Sequence, residues 1–436
     1  MKLQNILEID YLLLLPPIVL SIFGILFIYS SAITSTGVLV SNEYQRQILW
    51  AVSGVIIALV LAMVDYRKLY DLSPYLYAGT LLLLLYTYRF GRVVNGARSW
   101  IGIGSFGIQP SEFAKITCIL FLARYLETAR KNKNSFSVFI VSSIIIIMPM
   151  GLVLIEPDFG TSLVFIPILL VMTFISGVSI RYVFFLSLCI MLTGLLVLLP
   201  YWQIYIMRNA MPSFSILLNF RFMSTLMIAF GLILLIAFVG YMQYKKRYFY
   251  YIVYFTSILI LSMGISFLSH IVIKDYQIMR LIVFLDPNVD PRGSGWHIIQ
   301  SITAIGSGGL WGKGFLKGTQ SHYRFLPQQS TDFIFSIFSE EWGLLGGLLV
   351  FTLFLLICLR MIRIIRTTTD AYGANITAGL ATMYLFHFLI NVGMTMGIMP
   401  ITGIPLHFMS YGGSSMLAAM IGIGLSLSIY MRRYQH

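Results

Sequence analysis

Charge is what this chain has least of. Only 10% of its 436 residues are Asp, Glu, Lys or Arg, against 58% hydrophobic, where a soluble globular protein carries roughly 25% charged. So little polar surface cannot cover a water-facing exterior, and much of the exterior must face lipid. The same deficit excludes a disordered chain and a coiled coil. Cysteine is scarce too: Cys118, Cys189 and Cys358 lie in apolar segments without CxxC spacing, which excludes a disulfide framework and reads as small buried hydrophobes. The six histidines are dispersed and no HExxH occurs, so zinc chemistry has no support. Acidic residues are outnumbered, 16 against 29 Lys and Arg, for a net +13. These cations are scattered between apolar runs, which points to membrane orientation and anionic lipid rather than to nucleic acid.

Apolar runs near the roughly 20 residues that span hydrocarbon fall at about 11–33, 47–64, 75–90, 110–127, 136–155, 160–178, 182–203, 220–243, 249–272, 334–359, 374–397 and 412–431. The pattern predicts an all-α polytopic integral membrane protein with about 12 transmembrane helices. The first run is too long for a signal-peptide core and stays as a helix. With the N-terminus inside, 16 Lys and Arg residues fall in cytoplasmic segments, Lys2, Lys131 and Lys133 among them, against 6 in short outer loops and helix ends, including Arg208. Positive charge stays inside, so both termini are cytoplasmic. One long extracytoplasmic loop remains, 273–333, rich in Gly, Pro, aromatics and both charge signs. Its apolar stretch 297–305 is too short to cross and suits an interfacial or re-entrant helix.

Polar groups at membrane depth are expensive, so chemistry is sought among them. The first cluster is Asn95-Gly-Ala-Arg98-Ser-Trp100-Ile-Gly-Ile-Gly-Ser-Phe-Gly-Ile-Gln109-Pro-Ser-Glu112-Phe-Ala-Lys115. Pro110 suits a first helical turn, and Glu112 and Lys115, three apart, share a face and can pair. A structural bridge and a polar cavity wall both fit such a pair. Trp100 reads as an interfacial anchor or as a lid over a sugar or lipid headgroup. Gly102-x-Gly104-x-x-Gly107 spells a dinucleotide fingerprint but lacks the βαβ unit around it, and is rejected. The second cluster, Glu156-Pro-Asp158-Phe-Gly160, is a turn or a backbone break lining a cavity.

The third cluster fills the long loop. Arg280, Asp286 and Asp290 come first, then the glycine-rich run 306–314, then Gln320, and finally Asp332 with Glu340 and Glu341 following. Successive glycines let backbone N–H groups approach an anion, and Lys313, Lys317 and Arg324 add charge. Asp332 sits where polar loop passes into an apolar helix. Partial desolvation there would raise its pKa and suit a general base; a helix N-cap fits the position equally. The fourth cluster is Asn391 with Pro400-Ile-Thr-Gly-Ile-Pro405-Leu-His407-Phe-Met-Ser410-Tyr-Gly-Gly-Ser-Ser. Its prolines and glycines imply non-helical backbone at membrane depth, and His407 reads as a hydrogen-bonded structural histidine.

Taken in order, QPSEFAK after the Trp100 loop, EPDFGTS, FLDPNVDPRGSGW with QSITAIGSGGLWGKG, LPQQSTDFIF with EE following, and PITGIPLHFMSYGGSS resemble the SEDS family (shape, elongation, division, sporulation) of polytopic cell-wall polymerases. The resemblance covers nearly the whole chain except about 205–265, and GKGFLKGTQSHYRFLP looks more like the elongation branch than the division branch. It implies a single membrane domain of ten helices, to which 205–265 adds a two-helix insertion.

The activity it implies is that of a peptidoglycan glycosyltransferase in the bacterial cytoplasmic (inner) membrane. Such an enzyme polymerises lipid II into β-1,4 glycan strands during cell elongation and releases undecaprenyl pyrophosphate. The implied partners are a class B penicillin-binding protein and other membrane proteins of the elongation complex, with no nucleic acid. Asp332 matches the family's essential aspartate and is expected as general base. Trp100 matches the loop tryptophan, and Glu112 and Lys115 match the paired charges lining the central cavity. Arg98, Asp158, Arg280, Lys313 and Gln320 complete the expected substrate-binding set. Some of Arg98, Lys115, Arg280 and Lys313, or a bound divalent cation, would neutralise the pyrophosphate; no metal ligands are assigned. Three departures stand against the family pattern: Gln328-Gln-Ser330 replaces the usual acidic residue and histidine, His407 takes the place of a usual proline, and 205–265 is extra. A lipid II flippase would use the same buried pair and broken helices, but the outward placement of the chemical residues argues against it.

Overall fold

The computed structural model describes residues 9–94, 97–103, 106–130, 135–207, 214–272 and 275–434. Lys2, Asn95, Gly104, Lys131, Lys133 and Arg208, singled out above, lie outside the described residues. The chain divides into two units, Met1–Val178 with His297–His436, and Ser179–Trp296.

In the first unit, helices α1 (Tyr11–Ala32), α2 (Glu43–Met63) and α3 (Lys68–Phe90) lead into strands β1 (Arg92–Val94), β2 (Ala97–Ile103) and β3 (Phe106–Ile108). Helices α4 (Pro110–Ala129), α5 (Ser135–Ile155), α6 (Phe159–Leu163) and α7 (Phe165–Ile175) follow. The second unit contains α8 (Ile180–Trp202), α9 (Phe220–Tyr244), α10 (Arg247–Val272) and α11 (Asp275–Leu285). Helix α12 (Ser294–Ser307) begins at its end, and the first unit resumes with α13 (Thr319–His322), α14 (Ile334–Thr367), α15 (Ala371–Thr395) and α16 (Gly413–Met431). Among the described residues, nine helices are long and apolar enough to cross a membrane: α1, α2, α5, α8, α9, α10, α14, α15 and α16. The other expected runs are helical as well, as α3, α4 and the α6–α7 pair.

Leaving lipid for another apolar surface gains a helix little, so close packing and polar contacts must hold the bundle together. Small residues supply the closeness. A side chain at Gly24 of α1 would overlap the Met409 backbone, one at Gly424 of α16 would meet Ala58 of α2, and Gly379 of α15 lies against Ile119 and Met172. Polar ties reinforce the ends: Arg360 of α14 forks onto Asp10 at the start of α1, at 2.8 and 2.6 Å.

The all-α expectation needs one correction. The Trp100 region is a three-stranded antiparallel meander, ordered β1-β2-β3. Pairing the strands satisfies backbone groups that a loop would leave to water. Gly107 of β3 lies beneath the Trp100 ring, where a Cβ would approach to 2.8 Å. The segment expected as one long loop is also more ordered than a loop, since α11, α12, α13 and a 3₁₀ turn at Pro287–Val289 occupy much of it. The expected short helix at 297–305 is part of α12.

Helix α14 is broken at Gly343 (φ 65°, ψ −162°). The strip 308–316 runs beside the break and takes up its free groups. Leu344 and Leu345 donate to the carbonyls of Gly309 (2.9 Å) and Leu310 (3.2 Å), while Lys313 and Gly314 donate to those of Glu340 (3.0 Å) and Glu341 (2.9 Å). Side chains at Gly308 or Gly312 would overlap the Ser339 or Glu341 carbonyl. These glycines, expected to cradle an anion, therefore serve close backbone approach, and the N–H groups of 312–314 already have acceptors.

Candidate active site

Asp332 stands half-buried two residues before α14. It is not the N-cap; that position is Phe333, and no side chain caps the helix. Its backbone is gripped on both sides. The Asp332 N–H donates to Gln328 O (3.1 Å), and its carbonyl accepts from the Asn391 side-chain amide at 3.0 Å. The preceding carbonyls are held as well, Thr331 by the Ser410 hydroxyl (2.6 Å) and Ser330 by the Tyr411 N–H (2.8 Å). Across from the carboxylate lies Gly403, in the left-handed region at φ 71°, where a Cβ would stand 3.6 Å from Asp332 Oδ2.

Lys115 and Glu112 form the expected pair, Nζ to Oε1 at 2.8 Å, with 0% and 2% of their side chains exposed. Lys115 Nζ also donates to His387 Nε2 at 2.9 Å. An ammonium offers only protons, so His387 must accept at Nε2 and keep its own proton on Nδ1. That proton goes to the Pro405 carbonyl at 3.0 Å. The His407 ring stacks on His387 at 3.8 Å, and its Nδ1 meets the Ser415 hydroxyl at 3.1 Å.

His387 and Asn391 are one turn apart on α15 and hold consecutive carbonyls, Pro405 and Ile404, the latter at 2.8 Å. A polar network thus runs from Asp332 through Asn391, the 404–405 backbone, His387 and Lys115 to Glu112. Glu112 Oε2, Asn391 Oδ1 and His407 Nε2 along it are buried with no partner among the described residues.

Asp158 joins the same region. Its Oδ1 caps α6 through the Thr161 N–H (3.1 Å), and its Oδ2 accepts from Gln109 Nε2 (2.8 Å), whose own N–H donates to Ser414 Oγ (2.9 Å). Gly160 packs on the Thr402 carbonyl. Glu156 is fully buried. Burial, with the Asp158 charge adding, pushes its carboxyl up to about 8. Trp100 is half-buried over Gly107, and Arg98 is exposed on β2.

Lys313 and Gln320 gather around a different carboxylate, that of Glu340. Lys313 Nζ binds Glu340 Oε1 at 2.8 Å, and the same buried oxygen accepts the N–H groups of Thr319 (2.7 Å) and Gln320 (3.0 Å). Gln320 Oε1 is buried with no partner among the described residues. Glu341 accepts from the Ser30 hydroxyl and the Leu316 N–H (2.9 Å) and faces His322 Nε2 at 3.8 Å. Lys313 and Gln320 therefore belong to a loop stapled onto α14. Arg280 lies on α11 of the second unit.

The Glu340→Gln variant keeps the size and loses the charge that orders this loop. It should lower stability by about 2 kcal/mol, the scale of a charge-assisted hydrogen bond, and speed tryptic cleavage after Lys317, which limited proteolysis would reveal. Unchanged cleavage would remove the anchoring role.

Among the described residues no group of three or more His, Cys, Asp or Glu side chains could hold a metal ion. Sequence patterning did not single out His387 and assigned no role to Gln109 or Asn391. The available signal was the i, i+4 spacing of two polar residues inside an apolar run, each costly there unless it is bonded to something.

Comparison with known proteins places these observations in a family. The profile described as "Cell cycle protein", covering FtsW, RodA and SpoVE, matches residues 11–215 and 201–435. The chain is 50% identical to the peptidoglycan glycosyltransferase RodA of Treponema pallidum (strain Nichols) over 435 residues, 99% of this chain and 100% of that protein. It is 32% identical to the peptidoglycan glycosyltransferase MrdB of Escherichia coli (strain K12), over 98% of this chain and 94% of that protein. Among solved structures, a chain from work on the structural coordination of polymerization and crosslinking by a peptidoglycan synthase complex superposes with a TM-score of 0.66 at 25% identity, covering 98% of this chain and 99% of its own.

Proposed function

Since the chain belongs to the cell cycle protein family of FtsW, RodA and SpoVE, we infer that it is a peptidoglycan glycosyltransferase of the RodA type, a multi-pass protein of the bacterial cytoplasmic membrane. We propose twelve crossings, the nine long apolar helices together with α3, α4 and the α6–α7 pair, and both termini cytoplasmic. The 205–265 region is read as an insertion contributing two helices, α9 and α10. An even number preserves the sidedness of everything after it, and the Asp332 end of α14 faces outward.

The substrate in this reading is lipid II. The acceptor sugar's 4-hydroxyl attacks the anomeric carbon of the donor, and the bond from that carbon to the pyrophosphate oxygen breaks. Undecaprenyl pyrophosphate leaves with the electron pair, and the hydroxyl proton passes to the Asp332 carboxylate. One displacement turns an α-linked donor into a β-1,4 glycan. A positioned base of this kind contributes about 10²–10⁴-fold. Lys115, steadied by Glu112 and His387, is proposed as a fixed charge of the substrate cavity. Arg98, Arg280 and Lys313 are the further candidates for the pyrophosphate, and Trp100, Asp158 and Gln320 for the rest of the substrate. A class B penicillin-binding protein is the proposed partner, in keeping with the synthase complex of the similar solved chain.

The observation that carries this reading is that neighbouring side chains of α15 hold both groups, Asn391 the Asp332 carbonyl and His387 the Lys115 ammonium, while both also hold the carbonyls of 404–405. The test is strand synthesis from purified lipid II in liposomes, with and without the transpeptidase partner. Glycan strands support the reading. Labelled lipid II crossing the bilayer with no strands under any condition would replace it with the flippase.

Asn391 acts in this scheme through Asp332, as a positioning residue. Asn391→Ala removes the donor shared by the half-buried Asp332 carbonyl and the buried Ile404 carbonyl and leaves both short of a bond, worth about 1–3 kcal/mol. Steady-state kinetics should show kcat lowered about tenfold to a hundredfold with KM little changed. A change in KM alone would point instead to substrate contact.

A further inference from the structure

Helices α9 and α10 of the second unit are joined by only two residues, Lys245 and Lys246. Lys245 adopts the left-handed conformation (φ 50°), and its N–H closes α9 on the Tyr241 carbonyl at 2.9 Å. Gly240 permits so tight a return, because the Phe249 ring packs where a Cβ would come within 2.6 Å of it. Both helices are long and apolar enough to cross a membrane. A two-residue connection cannot carry its side chains away from the surface at which its helices end. Lys245, Lys246 and Arg247, all exposed, are therefore held at headgroup depth.

A fourth cation stands at the same end. The Arg181 guanidinium lies 5.9 Å from the Tyr250 ring centre, and the Tyr254 hydroxyl donates to the Arg181 carbonyl at 2.7 Å. Exposed Tyr244, Tyr248 and Tyr251 surround the tip, and tyrosine favours the boundary between hydrocarbon and water.

Among the described residues of the second unit, no acidic residue stands near these charges. From Phe159 to Lys274 the sequence contains no Asp or Glu at all. The next one, Asp275, follows the far end of α10, a helix of 26 residues and so about 39 Å long. Asp286 comes directly after Leu285, which packs beside Leu198 and Trp202 at the opposite end of α8 from Arg181. Like charges this close repel unless something outside the unit neutralises them.

We propose that the α9–α10 tip, with Arg181, is a docking surface for anionic phospholipid headgroups, their phosphates lying among the four cations and the tyrosines at the level of the glycerol backbone. This site does not depend on the glycosyltransferase reading. It also gives the extra 205–265 region a purpose, that of tying the enzyme to the acidic lipid around it.

The test uses the full chain purified in a non-ionic detergent and mixed with equimolar phosphatidylglycerol and phosphatidylcholine of identical acyl chains. Native mass spectrometry then reads the retained lipid. The wild type should retain phosphatidylglycerol in preference. The triple variant Lys245→Asn, Lys246→Gln, Arg247→Gln, with Asn chosen because it tolerates the left-handed region, should lose that preference. Each cation near an anionic surface contributes about fivefold, so the expected loss is of the order of a hundredfold, with phosphatidylcholine retention unchanged. The charge-preserving variant Lys245→Arg, Lys246→Arg, Arg247→Lys should behave as wild type and guards against a folding artefact. Equal retention of both lipids by wild type, or a preference surviving in the triple variant, would overturn the proposal. So would a wild type that shows no lipid preference yet binds a hexaglutamate peptide, which would reassign the tip to an acidic protein segment.

Discussion

Glycan-strand synthesis by the Asp332→Asn variant should fall about a thousandfold, within the range that a general base contributes, while the protein still folds and reaches the membrane. The asparagine is nearly isosteric and keeps every backbone bond described at this position, to Gln328 O and from Asn391. Helix α14 does not rely on the Asp332 side chain for its N-cap. What the variant lacks is a group able to take the acceptor's proton at neutral pH. Gel analysis of strands made from lipid II, beside a thermal melt of both proteins, separates lost chemistry from lost folding. Activity near the wild-type level would end the assignment of Asp332 as base.

The second large effect belongs to the buried pair. Lys115→Met leaves Glu112, 1% exposed, as a charge without its partner, and takes from His387 Nε2 the proton it accepts. Breaking a buried pair from one side destabilises by about 3–5 kcal/mol, whereas replacing both members by apolar or neutral groups is often close to neutral. Unfolding in detergent should therefore show Lys115→Met strongly destabilised, and the double variant Glu112→Gln, Lys115→Met restored for the most part. Activity decides what the pair is for. A stable double variant that makes no strands assigns the pair to the reaction; one that polymerises normally makes it a structural bridge only.

Much of this architecture is legible in the amino-acid order, for physical reasons that differ by element. Spans such as α5 and α9 announce themselves because hydrocarbon demands length and apolarity together. The Glu112–Lys115 pair is legible because two opposite charges three apart on one helix have few other uses at membrane depth. The break in α14 is not. Gly343 sits in Trp-Gly-Leu-Leu-Gly-Gly-Leu-Leu, which reads as unbroken apolar helix, so nothing discloses that Gly308 and Gly312 fit beside it. The strands around Trp100 escape because their pairing is set by close approach, with Gly107 beneath the indole, rather than by an apolar face. His387 goes unnoticed because its meaning lies in tertiary neighbours, Lys115 on one nitrogen and Pro405 on the other.

The segment 401–412 has a consequence for how the enzyme comes into being. Gly24 waits for the backbone of Met409, and Gln47 Nε2 for the carbonyl of Ser410, 363 residues further on. At about 5–20 residues per second of translation, the ribosome needs roughly 20 to 80 s between making Gly24 and making Met409. Until then the Thr331 carbonyl lacks the Ser410 hydroxyl and the Ser330 carbonyl lacks the Tyr411 N–H. A chain interrupted before 401–412 therefore carries Asp332, Lys115 and Glu112 without the segment that Gly24, Gln47, Asn391 and His387 hold.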